Sequence, residues 1–395
     1  MDLTLSPDAI ALQRSIADFI GKFGRESPPV GGARKRPDAR MLRWQRLLVD
    51  HEFAGRWVPS DFGGGGHDPD AVAEMIIADS FAEAEIHPGI RDVGTSLVIP
   101  TLLEVGTLEQ MNRWIRPTLR QEIVWCQGFS EPDAGSDLTS LRTTATIDAG
   151  EYVINGRKTW TTNAQFADMM FLLCRTEGLP GRSGLSILLL PMTAKGITVR
   201  PIRSATGTAS FNEVTFDNVR LAQDQNLGEP GQGWSVAGVT LKYERLLMGA
   251  SDKATSRLRR IERMVAQKPR SSTTDQFADR LVRLQAEALA AKCHTMRAMT
   301  EEQRGGGAPL NWLIIKALGA SLALRISALA VDVLGVDGLR YNPSTDDEDE
   351  ATRWYGDNLY DLGLTIGSGS VQVQKDIVAE RGLGLPRTVR TSGAR

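Results

Sequence analysis

The apolar residues of this chain recur at one spacing up to about residue 122, at a second from 123 to 233, and at the first again from 234 onward. In the outer stretches they fall three and four apart, as on a helix with one buried face. In the middle they alternate, as on a half-buried strand. The two periods are incompatible, so the order must be helices, then sheet, then helices. At 395 residues the chain exceeds one ordinary core, and the boundaries divide it into an N-terminal helical domain (1–122), a middle β-domain (123–233) and a C-terminal helical domain (234–395). The fold class is α+β.

Local signals place the elements. Ser6 as N-cap and Pro7 at the first helical position start a helix over 6–23 with an apolar face of Ile10, Leu12, Ile16, Phe19 and Ile20. Further helices are expected over 39–50, 70–84, 91–104 and 107–119. The Gly63–Gly66 run is read as a connector, because no Gly-Lys-Ser follows to make a phosphate loop. Strands are expected at 143–147, 152–154, 169–175, 185–190, 197–200 and 211–216, with turns at Ala149-Gly150, Asn155-Gly156 and Pro180-Gly181. Alternation puts Asn212, Val214 and Phe216 on one face of the last strand. Beyond Gly233, Ala254, Leu258, Ile261 and Val265 mark one helix, and Phe277, Leu281, Leu284, Ala288 and Ala291 mark another. The apolar segment 310–336 carries Lys316, Arg325 and Asp332 at intervals that would lie in lipid, so a buried core helix is expected, not a membrane span. The acidic run 346–350 reads as a solvated loop.

A formal net charge of −2 with 24% charged residues gives no reason to expect nucleic acid or an anionic membrane as partner. Cys126, Cys174 and Cys293 are an odd, scattered set without a CxxC, which argues against a disulfide framework or a zinc site. With no basic segment and apolar run after Met1, no secretory signal is expected, and a reducing cytoplasm fits.

Two stretches invest in backbone geometry and hydroxyls rather than in core. Phe129-Ser130-Glu131-Pro132-Asp133-Ala134-Gly135-Ser136-Asp137 combines helix breakers with side chains that bond local amides, a loop suited to a polar ligand such as a phosphate or a flavin edge. Asn155-Gly156-Arg157-Lys158-Thr159-Trp160-Thr161-Thr162-Asn163 joins a tight turn to an aromatic ring flanked by hydroxyls. At these stretches the chain resembles the acyl-CoA dehydrogenase family. The resemblance continues through Asn226–Trp234, Tyr243-Glu244-Arg245 and Gln374–Arg387, and it implies that family's fold: helical domain, antiparallel β-domain, four-helix bundle.

The resemblance implies FAD as cofactor. Gln127, Phe129, Ser130 and Ser136 would face flavin or thioester, with Trp160, Thr161 and Thr162 against the ring. The implied reaction oxidises an acyl-CoA between its α and β carbons to a trans-2-enoyl thioester, and electrons leave to an electron-transfer flavoprotein. Family members carry their catalytic Glu at one of two places. At the C-terminal one this chain has Ser368, which cannot act as the base; at the other it has Glu244, followed by Arg245, which would support the thioester end. Arg270 survives from a run that homotetrameric members lend to a neighbour's FAD, but Ser271–Thr274 replace the rest. At a second lent turn Asp332 replaces an amide, placing negative charge toward the FAD pyrophosphate or adenine edge. The economical reading is a second acyl-CoA dehydrogenase-like subunit, as in the α2β2 enzymes of actinobacterial steroid side-chain degradation, with a homo-oligomer as alternative. Two other functions stay open on the same fold: a flavin oxidase or monooxygenase on a nitro, amine or sulfur substrate, and a non-catalytic subunit of a heteromer. The acyl group, steroid-derived, branched or long, and its carrier, CoA or acyl carrier protein, are not fixed by these residues.

Overall fold

A computed structural model describes residues 6–29, 36–176, 181–249, 252–303, 309–341 and 350–386. The chain forms two compact units, Met1–Leu247 and Met248–Arg395.

The first unit begins with helices. In α1 (Pro7–Phe23) the Ser6 hydroxyl accepts from the Ala9 amide, as the sequence predicts. Ile16 and Phe19 are buried there, whereas Ile10 is largely exposed. With α2 (Ala39–Asp50) and α3 (Ala71–Glu83) it encloses an aromatic core of Phe19, Trp44, Phe53 and Phe81. A π-helical turn at Gly94–Val98 runs into α4 (Ile99–Val105), where the sequence predicts one continuous helix. A reciprocal Thr107/Gln110 capping box opens α5 (Leu108–Leu119). The Gly63–Gly66 connector is a packed turn: a Cβ on Gly64 would sit 2.2 Å from the Val58 carbonyl oxygen.

The sheet follows, formed by β1 (Trp125–Gly128), β2 (Thr144–Asp148), β3 (Glu151–Thr162), β4 (Met169–Thr176), β5 (Leu185–Pro191), β6 (Ile197–Ile202), β7 (Phe211–Ala222) and the short β8 (Asn226–Leu227). Its order is β6-β7-β3-β2-β4-β5-β8, with β1 beside β4. Pairing is antiparallel except for β1 with β4 and β2 with β4, which run parallel. One expectation is corrected here. Asn155-Gly156 is not a tight turn; it lies inside β3, which continues against β7 through a register shift. The reason is local: Gly156 has φ +145 and a Cβ there would lie 2.7 Å from the Thr143 Cα, so the backbone entering β2 lies against β3 at a distance that only glycine permits. Asn155 then exchanges side-chain bonds with Asn218 on β7 rather than closing a hairpin. One apolar layer joins β1, β4 and β5 to α4 and α5 through Trp125, Phe171, Ile187, Leu102 and Ile115. The first unit ends in α6 (Gly233–Gly249), which starts after β8 and whose Thr240 hydroxyl meets that of Thr101 on α4 at 3.1 Å.

The second unit is helical: α7 (Asp252–Ala266), α8 (Ser272–Gln303), α9 (Pro309–Leu334), α10 (Glu350–Leu364) and α11 (Val371–Gly382). By length and composition α9 could cross a membrane, but its apolar side is buried against α7, α8 and α10 through Leu322, Ile326, Leu329 and Val333. Its charges are all engaged. Lys316 is fully buried and donates to the carbonyls of Leu364, Gly367 and Gly369, while Arg325 pairs with Glu287 and Asp332 with Arg280 on α8. Of the acidic run, 346–349 lie outside the described residues; Glu350 opens α10 and pairs with Arg260.

Candidate functional site

The two stretches singled out in the sequence meet in the first unit, and a buried ion pair joins them. The chain leaves β1 at Gly128 and makes a tight turn in which Glu131 and Ala134 exchange backbone hydrogen bonds. Glu131 points inward and accepts from the amides of Arg142 and Thr143 and from Lys158 Nζ at 2.8 Å. Lys158, on β3, is fully buried and also donates to the Phe129 carbonyl at 3.0 Å. The Thr159 amide bonds the Ser130 carbonyl. Burial alone would raise the Glu131 carboxyl; the Lys158 ammonium and the hydrogen bonds hold it below the usual carboxylate range. The same burial pushes the Lys158 ammonium down, against the attraction of Glu131. Sequence reading passed over this pair, yet it left a signal: Lys158 shares the inward parity of Tyr152 and Ile154, where a lysine survives only with a partner.

Just past Lys158 the ladder is irregular. Lys158 faces Val214 and Thr161 faces Asn212, so Thr159 and Trp160 together oppose Glu213 alone. In this bulge Trp160 takes φ +57, a left-handed conformation that costs a bulky residue about 1–3 kcal/mol. The outcome is an indole 59% exposed, met edge-on by Phe211 at 6.0 Å. Bulges of this kind re-aim side chains beside functional sites.

The predicted site residues separate into those that offer surface and those that do not. Trp160 and Ser136 are exposed, and Ser130, Thr162 and Gln127 are half-buried. Thr161 is fully buried, and Phe129 packs in the core on Phe171. In this conformation neither side chain presents area to a ring, and each can contribute only through its backbone. An exposed indole, the nearby Thr162 in the same strand and a loop backbone stapled to that strand are groups of the kind that hold a flat aromatic ring with polar edges, so the residues present fit a flavin.

Glu244 lies on α6, half-buried, with Gln127 Nε2 3.5 Å from its Oε2. Gln127 is on β1, immediately before the loop, so the carboxylate is tied to the same strand that carries the hydroxyl stretch. The neighbouring Tyr243 hydroxyl donates to Glu104 on α4. Arg245 is in α6; its side chain lies outside the described residues. A cavity of about 600 Å³ is lined by Arg36, Trp114, Phe166, Met169 and Met192 among others, and by none of the predicted site residues.

In the second unit, Ser368 sits at φ +57 in the turn whose carbonyls Lys316 collects. Arg270 is exposed between α7 and α8. Ser271 Oγ accepts from the Thr274 amide, so the segment that replaces the lent run serves as the cap of α8. Asp332 is paired with Arg280 of α8 at 2.8 Å.

Comparison with known proteins places this geometry. The chain matches the acyl-CoA dehydrogenase N-terminal domain over residues 7–122, the middle domain over 126–219 and the C-terminal domain over 231–383. The chain belongs to the acyl-CoA dehydrogenase family. It is 36% identical over 370 residues to acyl-CoA dehydrogenase IpdE1 of Mycobacterium tuberculosis, covering 91% of this chain and 92% of that protein. Among solved structures it resembles a Tcur3481-Tcur3483 steroid ACAD G363A variant, with TM-score 0.82 and 26% identity over 96% of this chain and 100% of that one. It also resembles the ChsE4-ChsE5 complex of M. tuberculosis, with TM-score 0.80 and 25% identity over 98% of this chain and 100% of the other. The protein is an oxidoreductase of the acyl-CoA dehydrogenase type, from a flavin-dependent family.

Proposed function

We propose that the protein uses FAD to convert an acyl-CoA thioester into its trans-2-enoyl product, with Glu244 as the base. The observation that carries this reading is the tie between the Glu244 carboxylate and Gln127, one strand residue from the loop that would hold the cofactor. FAD, when bound, supplies the acceptor for the hydride leaving the β carbon, which no side chain can be. Trp160, Thr162, Ser130 and Ser136 would hold it with the backbone of Phe129 and Thr161, and Arg270 would be lent to the FAD of a neighbouring subunit. Glu244 Oε2 takes the α proton, Gln127 orients that carboxylate, and Arg245 and Ser136 bind the thioester end. We assign the domains as 1–122, 123–233 and 234–395.

The likeness to a steroid ACAD supports a steroid-type acyl group, and the likeness to the ChsE4-ChsE5 complex supports a second subunit. Two features of this chain point the same way: Ser271–Thr274 are committed to a helix cap and Asp332 to an ion pair. Electrons would leave to an electron-transfer flavoprotein. Three free cysteines agree with a cytoplasmic setting.

Glu244→Gln tests the mechanism. Flavin content and binding of a saturated acyl-CoA should be retained while flavin reduction slows by about 10²–10⁴, the range for losing a general base. Full activity in that variant would remove Glu244 from the mechanism.

A further inference from the structure

The strained turn at Trp160 needs something to hold it, and the structure assigns that task to Asn212. Asn212 is fully buried on β7, directly across from Thr161. Its Nδ2 donates to the Thr161 carbonyl at 3.0 Å and to Gln165 Oε1 at 2.6 Å. Gln165 Nε2 donates in turn to the Ala209 carbonyl at 3.1 Å, and the Asn163 amide bonds the Ser210 carbonyl at 2.9 Å. One amide therefore grips the first carbonyl after the bulge and, through Gln165, fastens the 163–166 turn to the loop before β7. The pinned 161–162 peptide anchors the chain immediately beyond Trp160 to β7, and this anchor holds the exit of the bulge from which the indole turns outward. Packing alone does not require an amide at this position. Asn212 shares its face with Val214 and Phe216, where an apolar residue would serve a plain strand better.

We infer that Asn212 is a positioning residue: it acts through Trp160 to set how tightly the flavin is held. The inference rests on the proposed flavin role of the 129–137 and 155–163 stretches. Its test is a double-mutant cycle on the purified flavoprotein, with FAD dissociation read by flavin fluorescence and the flavin absorption band as a second readout. Asn212→Asp replaces the NH2 donor by an oxygen facing the Thr161 carbonyl; Gln165→Leu, at an exposed residue, is the milder variant that keeps the fold. Asn212→Asp should weaken FAD binding at least about tenfold in the native background and less than about twofold beside Trp160→Ala, with Gln165→Leu following in smaller measure. An equal loss in both backgrounds, or none in either, overturns the inference while leaving the flavin reading intact. If Trp160→Ala itself binds FAD as tightly as the unaltered protein, the flavin role of Trp160 fails and the inference fails with it.

Discussion

Replacing Lys158 by Met keeps all but the terminal atom of the side chain's length and removes its charge. In the folded protein the Lys158 side chain is 0% exposed and that of Glu131 7%, so water cannot replace the lost ammonium. Glu131 would keep the Arg142 and Thr143 amides but lose its counter-ion, and the Phe129 carbonyl would lose its donor. Breaking one side of a buried pair costs about 3–5 kcal/mol, which is a factor of about 10²–10³ or more in the folding equilibrium. The measurement is urea unfolding followed by tryptophan fluorescence, with flavin release recorded in parallel. Because the pair joins the two stretches proposed to hold FAD, flavin should leave at lower urea than the fluorescence change. Glu131→Gln combined with Lys158→Met should recover part of the loss, since the uncompensated charge is then gone. Acid should act on the same joint. The Glu131 pKa is lowered on folding, so its stabilisation is complete above the unfolded value of about 4.3 and is lost as pH falls through the folded value. A Lys158→Met protein that unfolds within about 1 kcal/mol of the unaltered one and keeps its flavin would show that the pair is not what joins the stretches.

Lys316→Met should be similarly disruptive in the second unit, because three carbonyls of the 364–369 turn lose their donor at once; a cost of at least about 3 kcal/mol is expected in thermal or urea melting, and a change under 1 kcal/mol would contradict it. Thiol titration of the native protein should count one fast group, Cys293, which is exposed; Cys126 and Cys174 are buried, their thiols pushed up by burial, that of Cys174 to about 12. They should react only after unfolding.

The helical elements show how much local chemistry alone decides. Ser6 with Pro7 and the Thr107/Gln110 box fix their helix starts because a cap is satisfied within four residues, whatever the rest of the chain does. Alternation in 211–216 likewise fixed which residues of β7 share a face, and the structure buries the face of Asn212, Val214 and Phe216. Local reading failed at Asn155-Gly156, where the same dipeptide suits a hairpin turn or the interior of a continuing strand, and only the approach of Thr143 decides between them. The π-helical turn at Gly94–Val98 was also illegible, since nothing in the local spacing distinguishes it from a continuing α-helix.

The sequence by itself determined the helix, sheet, helix order, the family, and the two stretches and the glutamate worth examining. The order follows from periodicity and the two stretches from contiguous runs of residues, whereas the family and the glutamate follow from a resemblance to known sequences. Only the tertiary structure decided that Glu131 and Lys158 join those stretches, that Phe129 and Thr161 turn their side chains inward while Trp160 turns out, and that Asn212 holds the bulge between them. Burial and hydrogen bonding between residues 27, 29 or 51 positions apart in the chain depend on strand register, and register is a property of the assembled sheet.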